Sequence, residues 1–475
     1  MTTEPTPIPL GTLERGPIAS VDEHGVLHPS GRDWTARWWV GAEDRWHRTD
    51  VDLAVRHRIV EASPVVETAV RIPSGDAIGT SYAFAHGEGA AVASEIRNAS
   101  AVPIAVALVI GPVERLELRD DDGPVAWIDG RCAVVFGRRP SRIVAAPDLA
   151  ALAELVADAP EPGHAHWSGY VAFVTPLPHT QSLRWQFADR RLVVPPIDSV
   201  VTGWANQAAA GAFLSGPNVD ETVELGRRLL ALGHGPDATD RAKATRLGAL
   251  VRLGWFDEAT GETEALLVNQ GRKGRFEDDA ATVAAVDALA GWRRAGLPPD
   301  AYEHLVAPLA AAAHAIGRRP GRLDPVLGSR ARTALDGASW FAASAAQPEL
   351  AEDLARFASR FGETPGLAID DPLSAAIDAL VCERAGGVEL LAGWDPTWAG
   401  GIVDVRRLPT RFGLVSFSVR WHGERPALLW ELEAWPSPAG GPVVDVTVTC
   451  GIDPDWSATG TGGDALLARP LVVGR

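Results

Sequence analysis

The first 196 residues alternate between apolar and polar side chains in short stretches, as β-strands do when one face is buried. Turn-forming segments such as Pro73-Ser-Gly75-Asp76 separate these stretches. One stretch differs, because the apolar residues from Leu149 to Val156 are spaced by three and four and predict a helix. The strands that we predict cover 55–60, 65–72, 90–96, 104–110, 133–136 and 170–174. Many short strands with regular turns favour an antiparallel β-sandwich.

Between residues 197 and 386 the apolar positions recur at helical spacing instead. Short segments rich in Gly, Pro and Asp interrupt the pattern, which is typical of antiparallel helical hairpins. We expect about eight helices here. Those with defined limits are 223–232, 242–253, 278–292, 299–316, 331–345, 348–361 and 372–382.

Strand-like alternation returns from residue 387 to the end of the chain. Residues 414–419 and 427–432 predict a hairpin around the turn at 421–426. Further strands are predicted at 443–449, 465–467 and 471–473. The fold class is therefore multidomain α and β. We predict a β-sandwich at 1–196, an α/α-hairpin domain at 197–386 and a small β-domain at 387–475.

The amino-acid composition argues against several classes of function. The 475 residues carry a formal net charge of −17, which argues against a general nucleic-acid binder or a surface for anionic lipid. Three distant cysteines, Cys132, Cys382 and Cys450, suit a reducing compartment, with Cys382 in the core of the last predicted helix. No secretory signal or membrane-spanning run is visible, so we expect a cytoplasmic protein that binds no membrane. We predict no metal, since His164 and His166 lack a third ligand, and no cofactor.

Several segments resemble those of six-hairpin glycosidase-like proteins, in particular an uncharacterised actinobacterial subgroup. The most specific is Leu408-Pro409-Thr410-Arg411-Phe412-Gly413, which is followed by Ser416-Phe417-Ser418-Val419-Arg420-Trp421-His422-Gly423. Gly393-Trp394-Asp-Pro-Thr-Trp398 is another. The resemblance implies a β-sandwich, a ring of helical hairpins and a β-domain, in that order. The helical segment is too short for six hairpins, so we expect an incomplete ring of about four.

Glycosidases of this kind work with paired carboxylates, and one acidic loop is a candidate for them. Glycoside hydrolysis needs an acid and a base or nucleophile on either side of the scissile bond. Glu277, Asp278 and Asp279 are the candidate catalytic residues, at the start of a predicted helix, and Arg275 is a candidate substrate ligand. The alternative is that these acidic residues cap the helix and offset its dipole.

Tryptophan is unusually frequent, with 17 Trp against 3 Tyr. An indole ring can stack on the apolar face of a sugar, and it can equally fill a core. Candidate substrate-binding rings are Trp38, Trp39, Trp46 and Trp255. A second candidate group is the hairpin that carries Trp421, His422, Glu424, Trp430 and Glu431, for which a structural role is the alternative.

Two functional hypotheses follow from the resemblance. The first is a non-catalytic or divergent relative that binds saccharides or acts as a scaffold, with self-association through the incomplete helical domain. The alternative is an active cytoplasmic glycoside hydrolase that uses paired carboxylates in acid/base catalysis. The absence of an evident acid–base pair favours the first.

Overall fold

A computed structural model describes residues 7–13, 15–52, 55–61, 63–87, 89–120, 123–158, 166–234, 238–361, 371–384, 386–435 and 446–470. The chain forms two compact units. One comprises Met1–Gln207 and Ala231–Gly235, and the other Ala208–Leu230 and Pro236–Arg475. The second unit contains both the helical region and the C-terminal sheets, and our division at 196 and 386 stays a prediction. None of the helices in the described residues is long and apolar enough to cross a membrane.

The first unit is built on fifteen hydrogen-bonded strands whose pairings are all antiparallel, which confirms the predicted fold class. All six strands predicted there are present. The strands are β1 (Ile8–Gly11), β2 (Pro17–Val21), β3 (Leu27–Pro29), β4 (Thr35–Gly41), β5 (Trp46–Arg48), β6 (Val55–Ile59), β7 (Val66–Ile72), β8 (Gly75–His86), β9 (Gly89–Asn98), β10 (Ile104–Asp120), β11 (Pro124–Ile128), β12 (Arg131–Phe136), β13 (Arg142–Ala146), β14 (Trp167–Leu177) and β15 (Ser182–Phe187).

The long strand β10 lets this sheet fold back on itself. Its first half pairs with β4 and β14, and its second half pairs with β11, which leads through β12 and β15 to β9 and β8. Trp38 on β4 consequently packs against Gly79 on β8, where an added Cβ would lie 2.8 Å from the indole ring. Ile96 on β9 joins the same core. The glycine thus makes room for the largest side chain in the space between the two layers.

The first unit also contains two helices, α1 (Leu149–Asp158) and α2 (Ile197–Ala208). The predicted helix α1 is confirmed, and its Leu152 and Val156 are fully buried against Ala172 and Val174 of β14. Its apolar stripe therefore covers the sheet, as the spacing of its leucines requires.

Nine α-helices lie in the described part of residues 197–384, of which α3 to α10 follow α2. They are α3 (Asp220–Leu232), α4 (Asp240–Leu253), α5 (Phe256–Leu267), α6 (Asp279–Gly291), α7 (Glu303–Gly317), α8 (Pro325–Ser344), α9 (Pro348–Ala358) and α10 (Pro372–Leu380). Two short 3-10 helices, Trp292–Ala295 and Pro299–Tyr302, join α6 to α7.

These helices form consecutive hairpins, as predicted. α4, α6 and α8 contact one another in order, and α5, α7 and α9 return beside them. The described helices give three such hairpins and not the four that we expected. α3 and α10, distant in sequence, pack together instead, with Leu373 only 2.9 Å from the position of a Cβ at Gly226.

Two small sheets complete the second unit. β16 (Phe213–Ser215), β19 (Val403–Thr410), β20 (Gly413–His422), β21 (Arg425–Ala434) and β24 (Gly462–Leu466) form one. β17 (Val381–Arg384), β18 (Gly387–Leu390), β22 (Thr447–Cys450) and β23 (Asp453–Thr459) form the other. The predicted hairpin is the antiparallel pair β20 and β21, which is confirmed.

Some details differ from the sequence expectations. The helix predicted at 372–382 ends at Leu380, so Cys382 lies on strand β17, where it is half-buried. Helix α5 was not predicted because no side chain caps its first turn, which begins after Trp255. The predicted strand pieces at 443–445 and 471–473 lie outside the described residues.

A buried carboxylate joins separate elements of the second unit. Glu383 on β17 accepts hydrogen bonds from Arg294 Nε at 2.7 Å and from the backbone N–H of Arg411 at 3.2 Å. Arg293 lies 3.4 Å from its other oxygen. The end of α6, strand β17 and the turn between β19 and β20 therefore meet at one group. The Glu383 side chain is only 13% exposed.

Electrostatics stabilise the ionised form of this group. Burial alone would raise the pKa of Glu383, but the guanidinium groups of Arg294, Arg293 and Arg411 outweigh it and lower the pKa to about 2. Burial, with Arg294 close by, lowers the pKa of Arg293 to about 10, so both partners stay charged at neutral pH.

We predict that Glu383→Gln lowers the free energy of unfolding by about 3 kcal/mol at pH 7, because it leaves buried guanidinium groups without a counter-charge. The native pKa is below the ordinary value of 4.5, so the contribution is complete above pH 4.5 and is lost as the pH falls toward 2. The difference between wild type and variant should shrink by ~2 kcal/mol at pH 3. Urea titrations at both pH values measure it.

Glu433→Gln is the matched control. Glu433 also pairs with an arginine, Arg407 at 2.7 Å, but its side chain is 46% exposed. Such surface pairs contribute roughly 0–1 kcal/mol. Equal losses from the two variants, or a Glu383→Gln difference that does not change with pH, would contradict a central role for Glu383.

Candidate functional site

The acidic loop that precedes α6 has a defined backbone. Gly271 N–H donates to the carbonyl of Arg275 at 2.8 Å, and Gly274 N–H donates to the carbonyl of Gly271 at 2.8 Å. Gly274 has φ of +76°, and a Cβ there would lie 2.3 Å from the backbone of Ala311 on α7. Glycine is thus required both for the turn and for the close approach to the neighbouring helix.

Glu277 connects the starts of two helices. Its Oε2 accepts a hydrogen bond from the backbone N–H of Asp240 at 3.2 Å. In return Asp240 Oδ2 accepts from the backbone N–H of Glu277 at 3.0 Å. Asn269 Nδ2 donates to the other oxygen of Asp240 at 2.7 Å. Glu277 therefore satisfies an N–H in the first turn of α4, as a capping residue does. Asp240 satisfies the N–H of the residue that precedes the N-cap of α6.

Asp278 and Asp279 have similar local roles. Asp278 is the N-cap of α6, and its Oδ1 accepts from the N–H of Ala281 at 2.6 Å. Asp279 forms ion pairs with Arg275 at 2.5 Å and with Arg319 at 3.7 Å. The proposed substrate ligand Arg275 is therefore already bound to a carboxylate of its own loop.

The three candidate carboxylates do lie together, but their surroundings suit capping. Glu277 and Asp278 are exposed, and the Asp279 side chain is 34% exposed. A general acid in glycoside hydrolysis depends on an apolar or like-charged environment. Glu277 and Asp278 accept from backbone N–H groups, and Asp279 pairs with two arginines, which matches the capping alternative.

Three of the four tryptophans proposed as sugar platforms lie in cores. Trp38 and Trp39 are buried in the first unit, where the Arg48 guanidinium also covers Trp39 at 4.9 Å. Trp255 is buried in the second, and its Nε1–H donates to the carbonyl of Ala210 at 2.6 Å. Only Trp46 of the four is half-buried, next to Gly41. Among these rings, it alone has surface available for a ligand, and its role stays a prediction.

The structure brings together a different group, the tryptophan cluster of Trp394, Trp398 and Trp421. The rings of Trp394 and Trp421 are 6.0 Å apart with 31° between their planes. Trp398, which is buried, stands edge-on to Trp394 at 6.3 Å and 84°. Trp394 and Trp421 are half-buried, so each exposes part of its ring.

Local backbone geometry positions Trp394. Gly393 N–H donates to the carbonyl of Ala379 at 3.0 Å, and a Cβ at Gly393 would lie 2.6 Å from the Ala379 side chain. Asp395 then caps the 3-10 helix Pro396–Trp398 by accepting from the N–H of Thr397 at 2.8 Å. The sequence shows Trp394 and Trp421 in two separate motifs, and no spacing rule indicates that the motifs meet.

Across the described residues, no group of three His, Cys, Asp or Glu side chains has the geometry to hold a metal ion. All three cysteines lie in the described residues, and no disulfide joins them.

No protein-family model matches the sequence, and no curated protein matches it. Several solved structures are similar to this chain. A bacterial glucoamylase in complex with acarbose matches over 82% of this chain and 70% of its own, with 10% identity and a TM-score of 0.49. A GH92 family glycosyl hydrolase matches over 75% and 61%, with 8% identity and a TM-score of 0.37. A GH92 alpha-mannosidase from Bacteroides thetaiotaomicron matches over 75% and 62%, with 10% identity and a TM-score of 0.33.

These are six-hairpin glycosidase-like structures, the fold that the sequence resemblance indicates. This chain spans less than two thirds of the two GH92 structures. At such identities and TM-scores, no activity and no residue role is transferred from them.

We predict that Asp278→Ala lowers stability by about 1 kcal/mol, because α6 loses its N-cap, whereas Asp278→Asn stays close to wild type since Asn caps equally well. Thermal or urea unfolding of the two variants measures the difference. Equal losses from both would show that the negative charge, and not the cap, is what this position contributes.

Proposed function

We propose that the protein is a non-catalytic relative of the six-hairpin glycosidases that binds saccharides or acts as a scaffold in the cytoplasm. The observation that carries the non-catalytic part is the state of the acidic loop. Glu277 caps a neighbouring helix, Asp278 caps its own, and Asp279 is paired with Arg275. Each carboxylate already has a partner whose loss would cost stability.

The organisation of the helices supports the same proposal. The described residues form three hairpins, with α3 and α10 packed beside them, and not a full ring of six. Leu225 and Leu229, one turn apart on α3, are both exposed, at 41% and 46%. They are the residues through which we propose that the helical region self-associates.

Binding of carbohydrate is supported by the sequence resemblance and by the half-buried rings of the second unit. Partly exposed indoles offer flat apolar surface together with an N–H donor, which suits a sugar ring with its hydroxyl rim. Cysteines without disulfides suit the reducing interior of a cell.

The proposal predicts binding without turnover. Incubation with α- and β-linked neutral oligosaccharides should release no reducing ends above a boiled control, while at least one of them raises the melting temperature. A ligand at ~100 times its Kd adds about 2.7 kcal/mol to the stability of the state that binds it. Product chromatography and thermal-shift assays on the full chain supply the two readings.

Glu277→Gln and Asp278→Asn are the variants that decide between the two functions. Under the proposal both bind the same saccharide as wild type does. Turnover by wild type that either variant abolishes would establish the hydrolase instead, with those carboxylates in acid/base roles. A panel that gives neither turnover nor a shift would contradict saccharide binding.

A further inference from the structure

Three structural tryptophans of the second unit donate their indole N–H within the protein, whereas Trp394 and Trp421 donate theirs to no described residue. Trp255 donates its N–H to Ala210, Trp292 donates to Thr263 at 3.0 Å, and Trp435 donates to Thr410 at 2.7 Å. No residue in the described ranges accepts a hydrogen bond from the indole N–H of Trp394 or Trp421. Those two donors are left for solvent or a ligand.

The ring faces of Trp394 and Trp421 also differ from those of other partly exposed tryptophans, because no cation of the described residues covers them. The half-exposed rings of Trp127 and Trp340 are covered by guanidinium groups, from Arg119 at 4.2 Å and Arg411 at 4.1 Å. No cation of the described residues stacks on Trp394 or Trp421, which contact each other and Trp398. The exposed surface of this pair is therefore aromatic and uncharged.

The pair is also held in place before any ligand arrives. Trp398 is buried behind Trp394, and the close contact of Gly393 with Ala379 fixes the segment that carries Trp394. Trp421 lies at the end of β20, opposite Pro426 of β21. Because both rings are attached to ordered backbone, little conformational entropy is lost when a ligand binds to them.

We propose that Trp394 and Trp421 form a binding platform for the pyranose rings of a neutral oligosaccharide. The C–H face of a hexopyranose stacks on an indole, and each free indole N–H donates to a ring hydroxyl. Two rings with centroids 6.0 Å apart give contact to adjacent sugar units, so we expect oligosaccharides to bind better than monosaccharides. This inference rests on the saccharide binding proposed above and assigns it to a site away from the acidic loop.

The test is calorimetric titration of the full-length protein with neutral hexasaccharides of glucose and of mannose. Trp394→Ala and Trp421→Ala should each weaken binding about tenfold or more. Trp127→Ala is the matched control, since this ring is also half-buried but its face is covered by Arg119, and it should leave the Kd unchanged. The melting temperature and circular dichroism of each variant verify its fold.

The outcomes separate the platform from the proposed function. Wild type that binds a hexasaccharide with the same Kd as both alanine variants overturns the platform and leaves saccharide binding in place. Wild type that binds neither sugar overturns both. Binding of a proline-rich decapeptide, lost in the two variants, in place of sugar would assign the pair to a protein partner.

If an alanine variant fails to fold, Trp421→Phe provides a second test of the platform. Phenylalanine keeps most of the packing on Trp394 but removes the N–H and part of the stacking surface. Binding should weaken by a smaller factor than in Trp421→Ala and still more than in Trp127→Ala. An unchanged Kd in a folded Trp421→Phe protein would count against Trp421 as a ligand-binding residue.

Discussion

A buried ion group connects several elements of the second unit. Glu383 binds Arg293 and Arg294 of the 3-10 helix that follows α6 and the backbone of Arg411 in the turn after β19. Arg411 stacks in turn on Trp340 of α8 at 4.1 Å. Helices and sheets that are distant in sequence are therefore fixed by a charge that cannot be removed without leaving guanidinium groups buried and uncompensated. A device of this kind favours one arrangement of elements over others that would bury similar apolar area.

The carboxylates of the acidic loop also have structural roles. Glu277 caps the start of α4, Asp240 accepts from the N–H of Glu277 just before α6, and Asp279 pairs with Arg275. A catalytic acid has the opposite requirement, because its environment must disfavour its charged form. Residues that stabilise helix starts as anions are poorly suited to that role, and the capacity to bind a ligand has to be sought in the aromatic side chains.

Sequence reasoning worked where structure is local. The leucine spacing of α1 and the alternation along β20 and β21 each depend on neighbours within a few residues, and the structure confirms these elements. Sequence reasoning failed where tertiary contacts determine the secondary structure. Cys382 continues an apolar run from a helix, yet the pairing of β17 with β18 takes it into a strand. Helix α5 was not predicted, although Asp257 and Glu258 lie in its first turn, because its N-cap position is Trp255 and not a capping residue.

The acidic loop and the tryptophan cluster differ in the same way, because only the first could be found from local sequence. The loop at Glu277 was visible because its glycines and acidic residues are contiguous, although the hydrogen bond between Glu277 and Asp240 was not. Trp421 was a candidate on its own hairpin, but its pairing with Trp394 was not visible, because the two rings lie in motifs that only the folding of the C-terminal sheets brings to within 6.0 Å. No described residue accepts a hydrogen bond from either indole N–H, and no described arginine covers either ring face. Burial separates these rings from Trp39 and Trp255, because recognition of a ligand requires ring surface that solvent can reach.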